Sequence, residues 1–117
     1  MRGLTRVFVE LPSFRSDWKA LGLTDSDLRR LQEELLANPK TRNAIQGTGG
    51  VRKMRFAFEN RGKSGSVRII YVDFEIHEKL YLLTAYPKSE KDNLTKAERN
   101  ELKKLVEILA NELDRKS

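Results

Sequence analysis

Between Ser66 and Phe74 the chain reads Ser-Val-Arg-Ile-Ile-Tyr-Val-Asp-Phe, apolar at both parities of a two-residue repeat, with Arg68 its one full charge before Asp73. A strand apolar on both sides belongs in the interior of a sheet, so this run demands neighbours. Val51–Phe58 supplies one: Met54, Phe56 and Phe58 alternate with Lys53, Arg55 and Ala57, the period of a half-buried strand whose basic face meets solvent or a ligand. Tyr81–Ala85 is the next strand, with Glu75–Lys79 turning between them, and Arg6–Leu11, stopped by Pro12, is an edge strand or one leading into a helix.

The helices declare themselves by other signals. Phe14, Trp18 and Leu21 recur at helical spacing and Gly22 can end that segment. Thr24-Asp25-Ser26-Asp27 then offers an N-cap with acids behind it, Leu28, Leu31 and Leu35 form a stripe, and Asn38-Pro39 stops the second helix, giving a helical hairpin. Lys40–Gly50 is polar and glycine-bearing, an irregular connection. Thr95-Lys96-Ala97-Glu98 fits a capping box, and Leu102, Leu105, Val106, Leu109 and Leu113 line one face of the helix it opens. The order β, α, α, β, β, β, α predicts an α+β fold with a small, mostly antiparallel sheet, an N-terminal helical hairpin and a C-terminal helix. At 117 residues the chain is expected to be a single domain, residues 1–117.

Composition excludes several chemistries. Without Cys there is no disulfide framework and no Cys-based zinc site, and one His cannot build a multi-His centre, so neither metal nor cofactor is expected. No apolar run approaches the roughly 18 residues that span a bilayer, and Met1–Leu4 leads directly into a strand-like segment; a soluble cytoplasmic protein with no membrane partner is expected. Gly62-Lys63-Ser64 imitates the end of a phosphate-binding P-loop, but the first glycine of that motif would fall on Ala57 and a strand, not a helix, follows. Gly62 and Gly65 read as a flexible hairpin loop. His77 sits in a turn, expected to be exposed with few partners, and Asp73 and Glu75 have no second acid cluster to work with.

A cationic surface remains. The formal charge is +6, and between Arg52 and Arg68 six basic residues (Arg52, Lys53, Arg55, Arg61, Lys63, Arg68) meet one acid, Glu59, so this stretch holds almost the whole surplus. Arg and Lys can clamp phosphate oxygens and stabilise charge building on a phosphorane. Tyr86-Pro87-Lys88-Ser89-Glu90-Lys91 adds two cations and a ring at a sheet end. Tyr86 is read either as a base-stacking ring or as a tyrosine packed below a solvated basic rim. Arg68 resists the second, purely structural account, because a charge among Val67, Ile69, Ile70, Tyr71 and Val72 needs a ligand, a carboxylate or an open cleft.

Three segments together, Gly47–Phe56, Arg61–Tyr71 and Leu83–Leu94, resemble the HigB branch of the RelE/ParE toxin superfamily of type II toxin–antitoxin modules, and the likeness covers nearly the whole chain. The resemblance implies a toxin that cuts messenger RNA on the translating ribosome and is neutralised by a cognate, DNA-binding antitoxin. By position it makes Arg68 the phosphate-stabilising arginine and assigns Lys53, Arg55, Lys63 and Lys88 to the catalytic group, with Arg61, Tyr86, Lys91 and Arg52 as RNA contacts. Members with this fold use a tyrosine beyond the last strand; the matching position here is Leu94, which leaves the general acid and base open. Arginine stays charged, so proton transfer falls to Lys53, Lys63 or Lys88, whose pKa values crowding by cations would lower. Two rivals stand beside this reading: a toxin of the same fold that inhibits DNA gyrase, and a non-catalytic RNA-binding module.

Overall fold

The computed structural model describes residues 5–40, 44–60, 63–90 and 93–116. Its centre is a four-stranded mixed sheet of β1 (Val7–Glu10), β2 (Arg52–Asn60), β3 (Lys63–Phe74) and β4 (Lys79–Pro87), in the order β1-β4-β3-β2. The β2–β3 and β3–β4 pairings are antiparallel, while β1 lies parallel to β4 at one edge. The doubly apolar run is indeed interior, and its pleat divides it between two cores.

Val67, Ile69 and Tyr71 face one side, where Met54, Phe56, Leu80 and Leu82 join them under the helical hairpin of α1 (Pro12–Ala20) and α2 (Asp25–Ala37). Phe14, Leu31 and Leu35 are fully buried there, each such side chain stabilising the fold by roughly 1.5–3 kcal/mol. Ile70 and Val72 face the other side and meet Val106, Leu102 and Leu105 of α3 (Lys96–Lys116). Leu28 and Leu109 are the half-buried margins of their helical stripes.

The local signals act as their chemistry requires. Pro12 ends β1 and takes the first turn of α1, where a missing N–H costs nothing. Gly22 adopts φ 75° to close α1. Thr24 and Asp27 exchange backbone N–H bonds at 2.9 and 3.2 Å, and Thr95 and Glu98 do the same at 2.8 and 3.1 Å, so both helices open on capping boxes. In the irregular connection, the buried Thr48 hydroxyl donates to the Ile45 carbonyl at 2.6 Å and accepts from the Val51 amide at 3.1 Å, fixing where β2 begins.

Two features depart from the sequence reading. β2 and β3 pair out to Asn60 and Lys63, so Gly65 is a strand residue and not part of a flexible loop. The reason is Phe58: it sits opposite Gly65, and a Cβ there would lie 3.2 Å from the Phe58 ring, so the glycine makes room for the aromatic that covers it. His77, expected to be exposed, has a side chain only 19% exposed and meets Asp114 at 3.1 Å, joining the short 3-10 turn Glu75–His77 to the end of α3.

Edge strand β1 is locked from outside the ladder. Arg6 donates from Nε and Nη2 to the two Asp73 carboxylate oxygens at 2.7 and 3.1 Å, reaching over β4 to β3, with side chains 6% and 1% exposed. The hydrogen bonds to Asp73 raise the Arg6 pKa against the opposing cost of burial.

Candidate functional site

The site is built on sheet register. Arg55 of β2 is directly opposite Arg68 of β3, and Arg68 is opposite Tyr86 of β4. Residues opposed in this way share a face, so two guanidinium groups and a tyrosine form a row across three strands, on the α3 side of the sheet. Lys53, opposite Ile70, is the next residue of β2 on that face. Arg55 is exposed while Arg68 is half-buried with its Nε shielded from solvent.

Lys53 carries a second element to the site: its Nζ donates to Asn93 Oδ1 at 3.4 Å, which holds the segment leading into α3 beside β2. Lys88 follows β4, exposed, its backbone N–H donating to the Ser66 carbonyl at 3.4 Å. It lines a shallow hollow of about 620 Å³ with Leu21, Phe58 and Val67, residues of the helical-hairpin side, and that hollow includes none of Lys53, Arg55 and Arg68.

Not every residue named from sequence joins this group. Arg52 pairs with Tyr71 and takes the opposite pleat, on the side of the helical hairpin, because alternate residues of a strand face opposite ways. Tyr86 is 6% exposed, its hydroxyl shielded, and packs in one cluster with Ile70, Leu83 and Leu94. Of its two sequence readings the ring packed below a basic rim is the one found, and the base-stacking reading is corrected by that burial. Leu94, 8% exposed, belongs to the same apolar cluster. The backbone of Lys63 lies in β3 and not in a loop, and its side chain lies outside the described residues, as do Arg61 and Lys91.

Sequence reasoning passed over Arg30. It stacks on the Phe56 ring at 4.4 Å, donates to the Ala57 carbonyl at 2.9 Å, and with Arg55, Glu59 and Ser66 lines a hollow of about 590 Å³ at the β2 edge. On a helical wheel it is an ordinary solvent-face residue; only the packing of α2 over β2 brings it there. Among the described residues no group of three His, Cys, Asp or Glu converges as a metal site.

Residues 5–116 match the family model described as RelE toxin of RelE / RelB toxin-antitoxin system. This chain belongs to the RelE toxin family. Among solved structures, a double arginine-to-alanine mutant of E. coli toxin RelE in the free state is similar, with 13% identity over 75% of this chain and 88% of that chain and a TM-score of 0.51, a likeness of fold. The RelE-family toxin described here thus carries the cations of its row, Lys53, Arg55 and Arg68, on two antiparallel strands, β2 and β3.

Proposed function

We propose that this RelE-family toxin, of the HigB type, is an endoribonuclease that cleaves mRNA held on the ribosome, in the cytoplasm, and that a cognate DNA-binding antitoxin neutralises it. The observation that carries the reading is the opposition of Arg55 and Arg68 with Lys53 alongside. A phosphodiester seated over this row accepts from guanidinium groups of two strands at once, and the more negative pentavalent phosphorus binds them more strongly still, which is differential binding of the transition state.

In the reaction, an RNA 2′-oxygen bonds to the adjacent phosphorus while the bond to the 5′-oxygen breaks, leaving a 2′,3′-cyclic phosphate and a 5′-hydroxyl. The 2′-hydroxyl proton leaves to a base and the 5′-oxygen gains one from an acid. Arg68 and Arg55 stabilise the phosphorane, and Lys53, Lys63 and Lys88 are the candidates for proton transfer, since guanidinium does not titrate. Metal-independent chemistry of this kind needs the strand held in line, which explains a dependence on the ribosome for positioning.

The decisive experiment maps mRNA ends by primer extension after induction, wild type against Arg68→Ala. New ends in wild type that vanish in the variant support the reading. Absence of new ends, with Arg68→Ala as toxic as wild type, overturns it, and inhibition of DNA supercoiling would then favour a gyrase-directed toxin.

A further inference from the structure

A cleft of roughly 740 Å³ lies between α1, the end of β4 and the first half of α3, separate from the hollow that Arg30 and Arg55 line. On a chain of net charge +6 its sign is reversed: Glu90, Glu98 and Glu101 line it, and none of its described lining residues is Lys or Arg. Its floor is apolar. Leu102 and Leu105 stand four and seven residues after Glu98 on the same face of α3, and Leu21 closes the side formed by α1. Leucines at the base with carboxylates above suit an amphipathic helix that brings apolar side chains down and Lys or Arg upward.

We infer that this cleft docks a cationic, leucine-bearing helical segment of the antitoxin. The inference rests on the toxin reading above and extends it to the partner surface. Charge selects the occupant: carboxylates around the cleft repel RNA and anionic lipid alike, and attract a basic peptide. Position selects the role. Tyr86 forms part of the wall, and Tyr86 is the cross-strand partner of Arg68. Glu90 and Leu94 belong to the segment whose Asn93 contacts Lys53. A segment seated in the cleft therefore fixes the stretch around Asn93 against Lys53 and couples antitoxin binding to the cationic row, without itself being anionic.

The test titrates the toxin with its purified cognate antitoxin, comparing wild type with Glu90→Lys/Glu101→Lys, both exposed positions outside the cationic row. Charge reversal is expected to weaken binding roughly a hundredfold and to abolish its decline with salt, while mRNA cleavage by the free toxin stays at the wild-type level. As a second probe, a 14-residue amphipathic Leu–Lys helix should bind wild type and not the variant, and its Leu–Glu counterpart should bind neither. Unchanged antitoxin affinity in the variant overturns the inference, as does equal binding of the two peptides. Loss of ribosome association with antitoxin affinity intact also overturns it, and gives the cleft to a basic ribosomal protein. If wild type cuts no mRNA yet the reversal still abolishes antitoxin binding, the nuclease reading fails while the docking site stands.

Discussion

Arg55 and Arg68 stand directly opposite each other on β2 and β3, on the sheet face they share with Lys53 and Tyr86. Two guanidinium groups opposed across a ladder present a pair of forked donors to one phosphate. Arg55 is exposed, so Arg55→Ala is expected to leave the fold within about 0.5 kcal/mol of wild type, while cleavage of programmed ribosomes falls. Arg68→Ala should lower cleavage by roughly 10²–10³, and Arg68→Lys should not restore it, because an ammonium lacks the planar fork. Thermal melts beside single-turnover cleavage check both; a marked loss of stability in Arg55→Ala would show that Arg55 holds the fold and not the phosphate.

The row also predicts a salt signature. For a non-cleavable single-stranded RNA bearing 2′-deoxyribose at the scissile position, log K should fall linearly with log of salt concentration. Each of Lys53→Ala, Arg55→Ala and Arg68→Ala should shorten the slope by about 0.7. Arg52→Ala, on the opposite pleat, should change it least. Equal effects at all four positions would mean a diffuse basic surface and no seat for phosphate.

Tyr86 separates packing from proton transfer. Tyr86→Phe keeps the buried ring and is expected to cleave at close to the wild-type rate, whereas Tyr86→Ala opens the cluster with Leu94 and should cost about 3–5 kcal/mol of stability. A cleavage defect of about 10²-fold or more in a stably folded Tyr86→Phe would instead identify the hydroxyl as an acid or base.

The Arg6–Asp73 bond pair is a stability element. Asp73→Ala leaves a buried guanidinium without its carboxylate and should cost about 3–5 kcal/mol, while the double change Arg6→Met/Asp73→Leu should recover most of that loss. Urea denaturation of the three variants decides it; a double variant as unstable as the single one would show that the ion pair itself, and not the stranded charge, matters.

Glu75 gives a small pH dependence of known sign. The hydrogen bond from Lys40, with the charges of Lys40 and Arg6 behind it, holds the Glu75 carboxyl below its usual 4.5. A depressed carboxylate contributes stability above its unfolded value, and that contribution disappears as pH falls through the folded one. Wild type should therefore exceed Glu75→Gln slightly at neutral pH, with the gap closing on acidification and in high salt, since the group is exposed. A gap that widens in acid would contradict this.

Much of the molecule was legible in its sequence because local rules govern it. Capping chemistry at Thr24 and Thr95, Pro12 and Gly22 at the ends of α1, and the leucine stripes of α2 and α3 each depend on residues within a turn or two of one another. The alternation in β2 separated Lys53 and Arg55 from Met54 and Phe56, so the composition of the basic face was readable too. Its geometry was not. Register is a long-range property, and only the pairing of Arg55 with Arg68 and of Arg68 with Tyr86 shows that these side chains form a row.

Sequence by itself determined the elements, the period of each strand and the surplus of positive charge, because these follow from neighbours along the chain. Tertiary structure alone decided that Arg52 faces away, that the Tyr86 ring lies inside the core and that Arg6 finds Asp73. It also decided that a leucine-floored acidic cleft opens beside the cationic row. Those facts depend on which distant segments meet, and the free energy that brings them together is the burial of apolar surface on both faces of β3, a sum over the whole fold that no single segment encodes.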